Sequence, residues 1–144
     1  MKVKDILSKK GSQVWTVKMK ATVHEALGSL VTHAIGALIV TDEAERIAGI
    51  ISERDIIREC HRNSRQIEQT LVEKVMSRNL IIGSPEDELD YIMGIMTKNR
   101  IRHIPVVVGG KLEGIVSIGD IVKAQLLNSE YENHYLKDYL FGGR

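Results

Sequence analysis

Residues 49–57 read GIISERDII, and residues 114–122 read GIVSIGDIV. The second copy begins 65 residues after the first and keeps the character of every position except two, where Glu53 and Arg54 become Ile118 and Gly119. Each copy predicts a short β-branched strand, a serine N-cap, an aspartate three residues later and an apolar helix face. The N–H groups of such a helix start suit a phosphate, and the carboxylate beside them suits a sugar diol.

The composition indicates an ordinary globular protein. Hydrophobic residues make up 43% and charged residues 27% of the 144 positions, and the net charge is +1. This balance gives no global field to attract nucleic acid or anionic lipid. Cys60 is the single cysteine, which excludes an internal disulfide framework. Because we also find neither a signal-peptide pattern nor an apolar run of membrane-spanning length, we expect a cytoplasmic protein with no membrane partner.

The elements around the nine-residue motif are also present twice. Each half predicts a short helix, a brief strand, an amphipathic helix, two strands joined by a turn, and the final helix. The amphipathic helices are predicted to begin at Thr22, with Glu25 in a capping box, and at Ser84, with Pro85 as the first helical residue. The other predicted helices and strands cover residues 3–8, 14–17, 37–40 and 47–51 in the first half and residues 72–77, 79–82, 104–108 and 112–116 in the second.

The duplication predicts an α/β (α+β) fold of two pseudo-twofold-related halves, with small packed sheets and flanking helices. A unit of about 60 residues has little core of its own, so we expect the two halves to stack and to leave a cleft. Glycines at 109 and 110 are suited to the hairpin turn of the second half. The predicted divisions are repeat 1 at residues 1–62, a linker at 63–70, repeat 2 at 71–128 and a helical tail at 129–144.

The tail lies outside the repeat and is rich in aromatic residues. Tyr131, Tyr135 and Tyr139 recur every four residues, with Leu136 and Leu140 beside them. An aromatic helix face of this kind needs a surface to pack on. The sequence leaves open whether that surface belongs to the same chain or to a second subunit.

The paired motifs, together with the RHIPV sequence at residues 102–106, resemble a pair of CBS domains over roughly residues 1–127. The whole chain is similar to the small stand-alone bacterial CBS-pair proteins, which carry no catalytic domain. The resemblance implies a Bateman module that binds an adenosine derivative in the cleft between repeats. AMP is the first candidate ligand, with ATP and NAD(H) as alternatives. It also implies a homodimer and roles in energy sensing and signal transduction.

By position, the resemblance assigns the ribose to Asp55 in one site and to Asp120 in the other, with Ser52 and Ser117 at the phosphate or ribose edge. The strand starts and the backbone before the hairpins would frame the adenine. Pro105, which cannot donate to a sheet, suits a strand edge that faces a ligand. The complete set of expected ligand-binding residues is Thr16, Val17, Ile35, Gly36, Ala37, Ser52, Arg54, Asp55, Ile82, Gly83, Arg102, His103, Ile104, Pro105, Ser117, Gly119 and Asp120.

The two sites are expected to differ in charge. Where the first half has Gly36 and Ala37, the second has Arg102 and His103, which bring positive charge and hydrogen-bond donors. Arg54 occurs only in the first half. We therefore expect the second site to bind AMP-like ligands more readily, and a dinucleotide would place its adenosine half in the first.

Simpler interpretations of these residues remain. Each Ser-x-x-Asp motif also serves as a helix cap without any ligand, and Arg102 and His103 also suit a solvated strand start. The sequence shows no nucleophile–base arrangement, Walker loop or dinucleotide fingerprint, so we expect no enzyme activity. The five histidines and Cys60 lack metal-ligand spacing, so we expect no metal.

The sequence thus predicts a regulatory module that binds adenine nucleotides and signals occupancy to an unidentified regulated protein. The alternative is a structural or protein-interaction module without a physiological nucleotide. Nucleic-acid binding has little support from the net charge, and the aromatic residues are concentrated in the tail.

Overall fold

The computed structural model describes residues 1–63, 66–128 and 137–139. The chain divides into two compact units. The first, here called the continuous unit, is formed by residues 13–81. The second, the discontinuous unit, combines residues 1–12 with the chain from residue 82 onward.

The continuous unit contains a three-stranded sheet with the strand order β1-β2-β3. Strand β1 pairs in parallel with β2, and β2 pairs antiparallel with β3, so that Ala37 lies opposite Ser52. The elements of this unit are β1 (Thr16–Lys18), α2 (Val23–His33), β2 (Ala37–Thr41), β3 (Ile47–Ser52), α3 (Glu53–Arg62) and a 3-10 turn (Val72–Lys74).

Helix α2 has the capping box that the sequence predicts. The Thr22 hydroxyl accepts a hydrogen bond from the Glu25 N–H at 3.1 Å, and the Glu25 carboxylate accepts one from the Thr22 N–H at 3.0 Å. The helix ends where Ala34 takes a left-handed conformation with φ 51°. Its apolar stripe then packs into the core of the unit, whose buried residues are Val23, Ala26, Leu30, Leu38, Val40, Ile51, Ile56, Val72 and Met76.

The discontinuous unit contains the antiparallel pair β4-β5. The predicted hairpin turn is confirmed, since Gly109 and Gly110 both have positive φ, at 55° and 78°. The N-terminal helix packs against β5 and α5, which come last along the chain among the elements of this unit. The elements of this unit are α1 (Val3–Lys10), α4 (Leu89–Asn99), β4 (His103–Val108), β5 (Lys111–Ser117) and α5 (Ile118–Asn128).

The strand predicted at residues 79–82 is wrong. Only Gly83, the next residue, meets a strand, through two hydrogen bonds to β4: its N–H donates to the Pro105 carbonyl at 2.8 Å, and its carbonyl accepts from the Val107 N–H at 3.0 Å. This single bridge stands where the other unit has the three-residue strand β1. Residues 79–82 themselves form no bridge to a strand, and pairing with β4 is limited to Gly83.

The predicted start of the second amphipathic helix is also wrong. Ser84 begins a turn in which the Asp87 N–H donates to the Ser84 carbonyl at 3.0 Å, and α4 starts at Leu89 after an N-cap at Glu88. The Ser84 N–H donates instead to the Asp87 carboxylate at 2.8 Å. The serine and proline therefore close a turn before the helix, and they do not form its first residues.

The two compact units cut across the predicted repeat boundaries. Helix α1 belongs to the unit that contains β4 and β5, and the 3-10 turn at 72–74 belongs to the unit that contains β1–β3. The assignment of 1–62, 63–70, 71–128 and 129–144 as repeats, linker and tail stays a prediction about the sequence. Of the predicted tail stripe, Tyr139 is described and exposed, while Tyr131, Tyr135, Leu136 and Leu140 lie outside the described residues. No helix in the described ranges has the length and apolarity needed to span a bilayer.

Candidate functional site

The first candidate site is built on the start of α3. Ser52 ends β3 and caps the helix, with its hydroxyl accepting from the Asp55 N–H at 3.2 Å. The Asp55 Oδ2 accepts in return from the Ser52 N–H at 2.8 Å and from the Ser52 hydroxyl at 3.0 Å. The Oδ1 atom of Asp55 accepts no hydrogen bond from any described residue. One carboxylate oxygen thus holds the helix start, and the other has unused acceptor capacity.

The start of α5 repeats this geometry in the discontinuous unit. The Ser117 hydroxyl accepts from the Asp120 N–H at 3.1 Å, and the Asp120 Oδ2 accepts from the Ser117 N–H at 2.9 Å. Its Oδ1, too, accepts nothing within the part of the chain that the structure describes. The Ser-x-x-Asp motif is therefore a reciprocal cap in both units, as the simpler interpretation expects, and the cap leaves an oxygen for a ligand.

The structure places the predicted adenine-framing backbone directly beside each helix start. The Gly36 carbonyl accepts from the Glu53 N–H at 3.0 Å, and the Arg102 carbonyl accepts from the Ile118 N–H at 2.8 Å. In the strand register, Ala37 lies opposite Ser52 and His103 lies opposite Ser117. These residues of each half therefore lie together, as the sequence predicts.

Several of the other predicted residues contribute side chains to the core. The side chains of Val17 and Ile35 pack against the buried cluster of the continuous unit, and Ile104 is almost fully buried. Pro105 is also buried, and its carbonyl accepts a hydrogen bond from the Gly83 N–H. At Gly83 an added Cβ would lie 3.3 Å from Ile104 and from Ile92, so that face is covered as well. These side chains are therefore not available to a base, and the Pro105 carbonyl and both backbone groups of Gly83 are already hydrogen-bonded within the unit.

The remaining predicted residues are accessible. Arg54, Arg102 and Gly119 are exposed, and neither arginine makes an ion pair with a described residue. His103 is half-buried. Both arginine side chains are thus able to turn toward an anion.

The β1 residue Thr16 and its counterpart Ile82 are exposed as well. Trp15, next to Thr16, stacks on His33 with ring centroids 3.5 Å apart. The sequence did not point to this stack, because the two residues lie far apart along the chain. It places an indole ring at the entry to β1, close in sequence to the predicted adenine-framing residues.

Lys10 is a further site residue, and the sequence analysis missed it. Its ammonium donates to the Asp120 Oδ2 at 2.7 Å and to the Ile115 carbonyl at 2.9 Å. Lys10 ends α1, and the order of elements along the chain gave no sign that α1 packs beside the last strand and helix. The one available signal was weak: a basic residue at a helix C-terminus is common for dipole reasons alone.

The surroundings of Asp120 favour its charged form. Partial burial works to raise the pKa of this carboxyl, but the hydrogen bond from Lys10, the Ser117 N–H and the Lys10 charge outweigh it. The net result is a pKa below the ordinary aspartate value. Asp120 is therefore an anion at neutral pH, bound to a cation that Asp55 lacks among the described residues.

A cavity of about 220 Å³ lies beside this ion pair in the discontinuous unit. Three lysines line it, at positions 9, 10 and 123, together with the carboxylates of Asp5 and Asp120 and an apolar wall that includes Ile6. The described residues contain no group of three or more histidine, cysteine, aspartate or glutamate side chains suited to a metal ion. This lining is suited to bind a small anionic group that is attached to a less polar body.

Comparison with known sequences identifies the repeat. The family model described as "CBS domain" matches residues 3–62 and again residues 72–127. The chain is 37% identical over 150 residues to the CBS domain-containing protein CBSX3, mitochondrial, of Arabidopsis thaliana, an alignment that covers 98% of this chain and 72% of that protein.

Solved structures agree with this result. The CBS-domain containing protein ATU1752 from Agrobacterium tumefaciens is 40% identical, with a TM-score of 0.84 over 86% of this chain and 92% of that one. The CBS domain pair of protein MJ0100, solved in complex with 5′-methylthioadenosine and S-adenosyl-L-methionine, is 28% identical. It has a TM-score of 0.79 over 90% of this chain and 98% of that chain.

Proposed function

Since the chain belongs to the CBS-domain family as a tandem pair of CBS repeats, we propose that it is a regulatory module for an adenosine nucleotide of the AMP, ATP or NAD type. The observation that carries this proposal is the duplicated helix start. In each unit a reciprocal Ser–Asp cap fixes the carboxylate through Oδ2 and leaves Oδ1 without a described partner. A fixed, half-solvated carboxylate oxygen is a good acceptor for a ribose hydroxyl.

The backbone next to each helix start supports an adenosine ligand. The residues opposite the caps, Ala37 and His103, are the first residues of their strands, and backbone groups at such strand starts can read an adenine edge without a special side chain. The MJ0100 pair, solved with two adenosine derivatives, supports the same ligand class for this chain. The position of the ligand in a cleft between repeats stays a prediction.

AMP is the proposed first ligand, with NAD(H) and ATP as alternatives. The discontinuous unit supplies more positive charge near its helix start, through Arg102 and Lys10, than the continuous unit supplies through Arg54. A phosphate-bearing ligand gains charge-assisted hydrogen bonds there. We therefore propose that this unit binds AMP more tightly than the other does.

We further propose that the chain works as a homodimer and passes ligand occupancy to a regulated protein in the cytoplasm. Support comes from exposed apolar side chains on the two helices that begin at the caps: Ile57 on α3 and Val122, Leu126 and Leu127 on α5. Such residues are enriched where a helix packs against another chain. The mass of the protein in solution, measured by light scattering, tests the pairing.

The function is tested by thermal unfolding with AMP, ADP, ATP, NAD and NADH, in the wild type and in Asp55→Asn and Asp120→Asn. A ligand that binds only the folded state stabilises it by about 2.7 kcal/mol at 100 times Kd, which raises Tm by several degrees. Asparagine keeps an oxygen for the cap and removes the charge. We expect Asp120→Asn to lose most of the shift with AMP.

The matched control is Glu25→Gln, which makes the same change in the capping box of α2, away from both candidate sites. It should keep the full ligand-induced shift. If no adenosine compound raises Tm in the wild type and no nucleotide copurifies, ligand regulation is wrong. The exposed apolar faces of α3 and α5 then favour an interaction module.

A further inference from the structure

The two candidate sites differ in one contact that has direct consequences for ligand choice. Asp120 is paired with Lys10 at 2.7 Å, while Asp55 makes no ion pair with a described residue. Lys10 reaches Asp120 from α1, which precedes it by more than a hundred residues. The carboxylate that the proposed function assigns to the ribose is therefore already occupied in part.

Binding of a ribose to Asp120 has an electrostatic cost in this unit, because it weakens an existing ion pair. When a ribose diol binds both carboxylate oxygens, one hydroxyl uses the free Oδ1, and the other competes with the Lys10 ammonium for Oδ2 and weakens the ion pair. The Lys10 side chain is 33% exposed, so its ammonium is only partly hydrated when it loses its counter-ion, and a new anion in that place stabilises it. Lys10 has a flexible four-carbon stem, so its ammonium is free to move to a neighbouring anion.

The cavity beside Asp120 is suited to supply that anion. Its volume of about 220 Å³ is below the usual range of about 300–1,000 Å³ for whole-ligand pockets, so it fits one end of a nucleotide. Lys9 and Lys123 line it and form no ion pair with a described residue. A 5′-phosphate attached to a ribose on Asp120 would enter a space lined by three ammonium groups and, apart from Asp120 itself, by one further carboxylate, that of Asp5.

We propose, building on the proposed function, that Lys10 is a specificity residue that restricts the discontinuous unit to anionic adenosine ligands. On binding, the Lys10 ammonium exchanges the Asp120 carboxylate for the ligand's 5′-phosphate, and the carboxylate receives the ribose hydroxyls. Every charge then keeps a partner. A neutral nucleoside offers Lys10 no such exchange, and a cationic ligand adds repulsion. The continuous unit, which lacks a described counterpart of this lysine, makes no such selection.

The test compares AMP with adenosine by titration calorimetry in the full chain carrying Asp55→Asn, so that binding at Asp120 is measured. We expect AMP to bind at least about tenfold more tightly than adenosine. Adding Lys10→Met, which keeps most of the apolar length of the side chain and removes its charge, should bring the two affinities within about threefold. If Lys10 selects for AMP, its loss reduces the ratio of the AMP affinity to the adenosine affinity. Damage to the site would instead weaken the binding of both ligands to the same extent.

Lys98→Met is the matched control, because it removes the same charge from an exposed lysine of the same unit that forms no ion pair with a described residue and does not line the cavity. It should keep the AMP preference. An unchanged AMP-to-adenosine ratio in Lys10→Met, or an equal loss of preference in Lys98→Met, overturns the role of Lys10 and leaves the proposed function standing. Binding that survives Asp120→Asn overturns the Asp120 site and the role of Lys10 with it, and the absence of any binding overturns the proposed function as well.

Discussion

At the residue scale, the ion pair between Lys10 and Asp120 makes stability depend on pH in the acid range. Asp120 has a lowered pKa in the folded state. Its contribution is therefore complete above the unfolded-state pKa of about 3.9 and is lost as pH falls through the lower folded-state value. Lys10→Met should cost up to about 1 kcal/mol of unfolding free energy at pH 7, as half-exposed ion pairs do.

Urea unfolding at several pH values between 7 and 2.5 measures this difference. The gap between wild type and Lys10→Met should close as the pH falls below about 4. Lys9→Met, in which no ion pair is lost, should follow the wild type throughout. A gap that stays constant down to the lowest pH would show that Lys10 stabilises the fold through its hydrogen bond to the Ile115 carbonyl rather than through Asp120.

At the element scale, the two motif glycines let a segment lie close against a strand in each unit. A Cβ on Gly49 of β3 would come within 2.5 Å of the Ser77 carbonyl oxygen, which accepts the Ile50 N–H at 3.0 Å. A Cβ on Gly114 of β5 would meet the end of the Leu7 side chain at 2.7 Å. A side-chain end moves more easily than a bridged backbone.

We therefore expect Gly49→Ala to destabilise the protein by about 1–3 kcal/mol and Gly114→Ala by less than about 1 kcal/mol. The substitutions are matched, since the two glycines open the two copies of the same motif. Chemical denaturation of both variants measures the difference. Equal costs would show that α1 holds Leu7 as firmly as the bridge holds Ser77.

The elements also show how far the sequence carries a structural prediction. The apolar stripes of α2 and α4 recur at an offset of 66, and this offset aligns Val23 with Leu89, the observed first residues of both helices. The cap predicted at Ser84 was wrong because a serine–proline pair fits a turn as well as a helix start. The pattern of buried apolar residues determines where a helix lies. A local capping sequence is compatible with more than one backbone conformation, and so it locates a helix less precisely.

The candidate site was predictable from the sequence to a similar extent. The contacts at Ser52, Asp55, Ser117 and Asp120 are local in sequence, and the paired motifs predict them. Lys10 was missed because its contact with Asp120 depends on tertiary structure that no short pattern encodes. Val17 of β1 and Ile104 of β4 were expected near the ligand but place their side chains in the core, because alternate residues of a strand face opposite ways. Ile35, which precedes β2, also packs against the core.

At the scale of the whole molecule, each unit uses one short segment from the sequence repeat of the other. Val3 of α1 and Val72 of the 3-10 turn are both completely buried, the first in the discontinuous unit and the second in the continuous one. Val3→Ala and Val72→Ala should each cost about 2 kcal/mol through the cavity they leave. The two substitutions should destabilise different strands.

Native-state hydrogen exchange locates the loss. In Val3→Ala we expect the amides of β4 and β5 to lose protection while those of β2 and β3 keep it, and we expect the reverse in Val72→Ala. Each variant is the control for the other. If both variants reduce protection evenly in all four strands, the chain opens as one cooperative unit.

The assignment of α1 to the discontinuous unit also bears on the order in which the chain folds during synthesis. The continuous unit is complete once residue 81 has left the ribosome, but α1 must wait for β5 and α5. At roughly ten residues per second, its apolar face, with Val3 and Ile6, stays uncovered for roughly ten seconds. Prior folding of the intervening residues shortens the loop that must close between α1 and β4, so the later unit forms at a lower entropic cost. The nascent chain is thus most vulnerable at its first helix, and a chaperone that binds emerging apolar helices would find its target there.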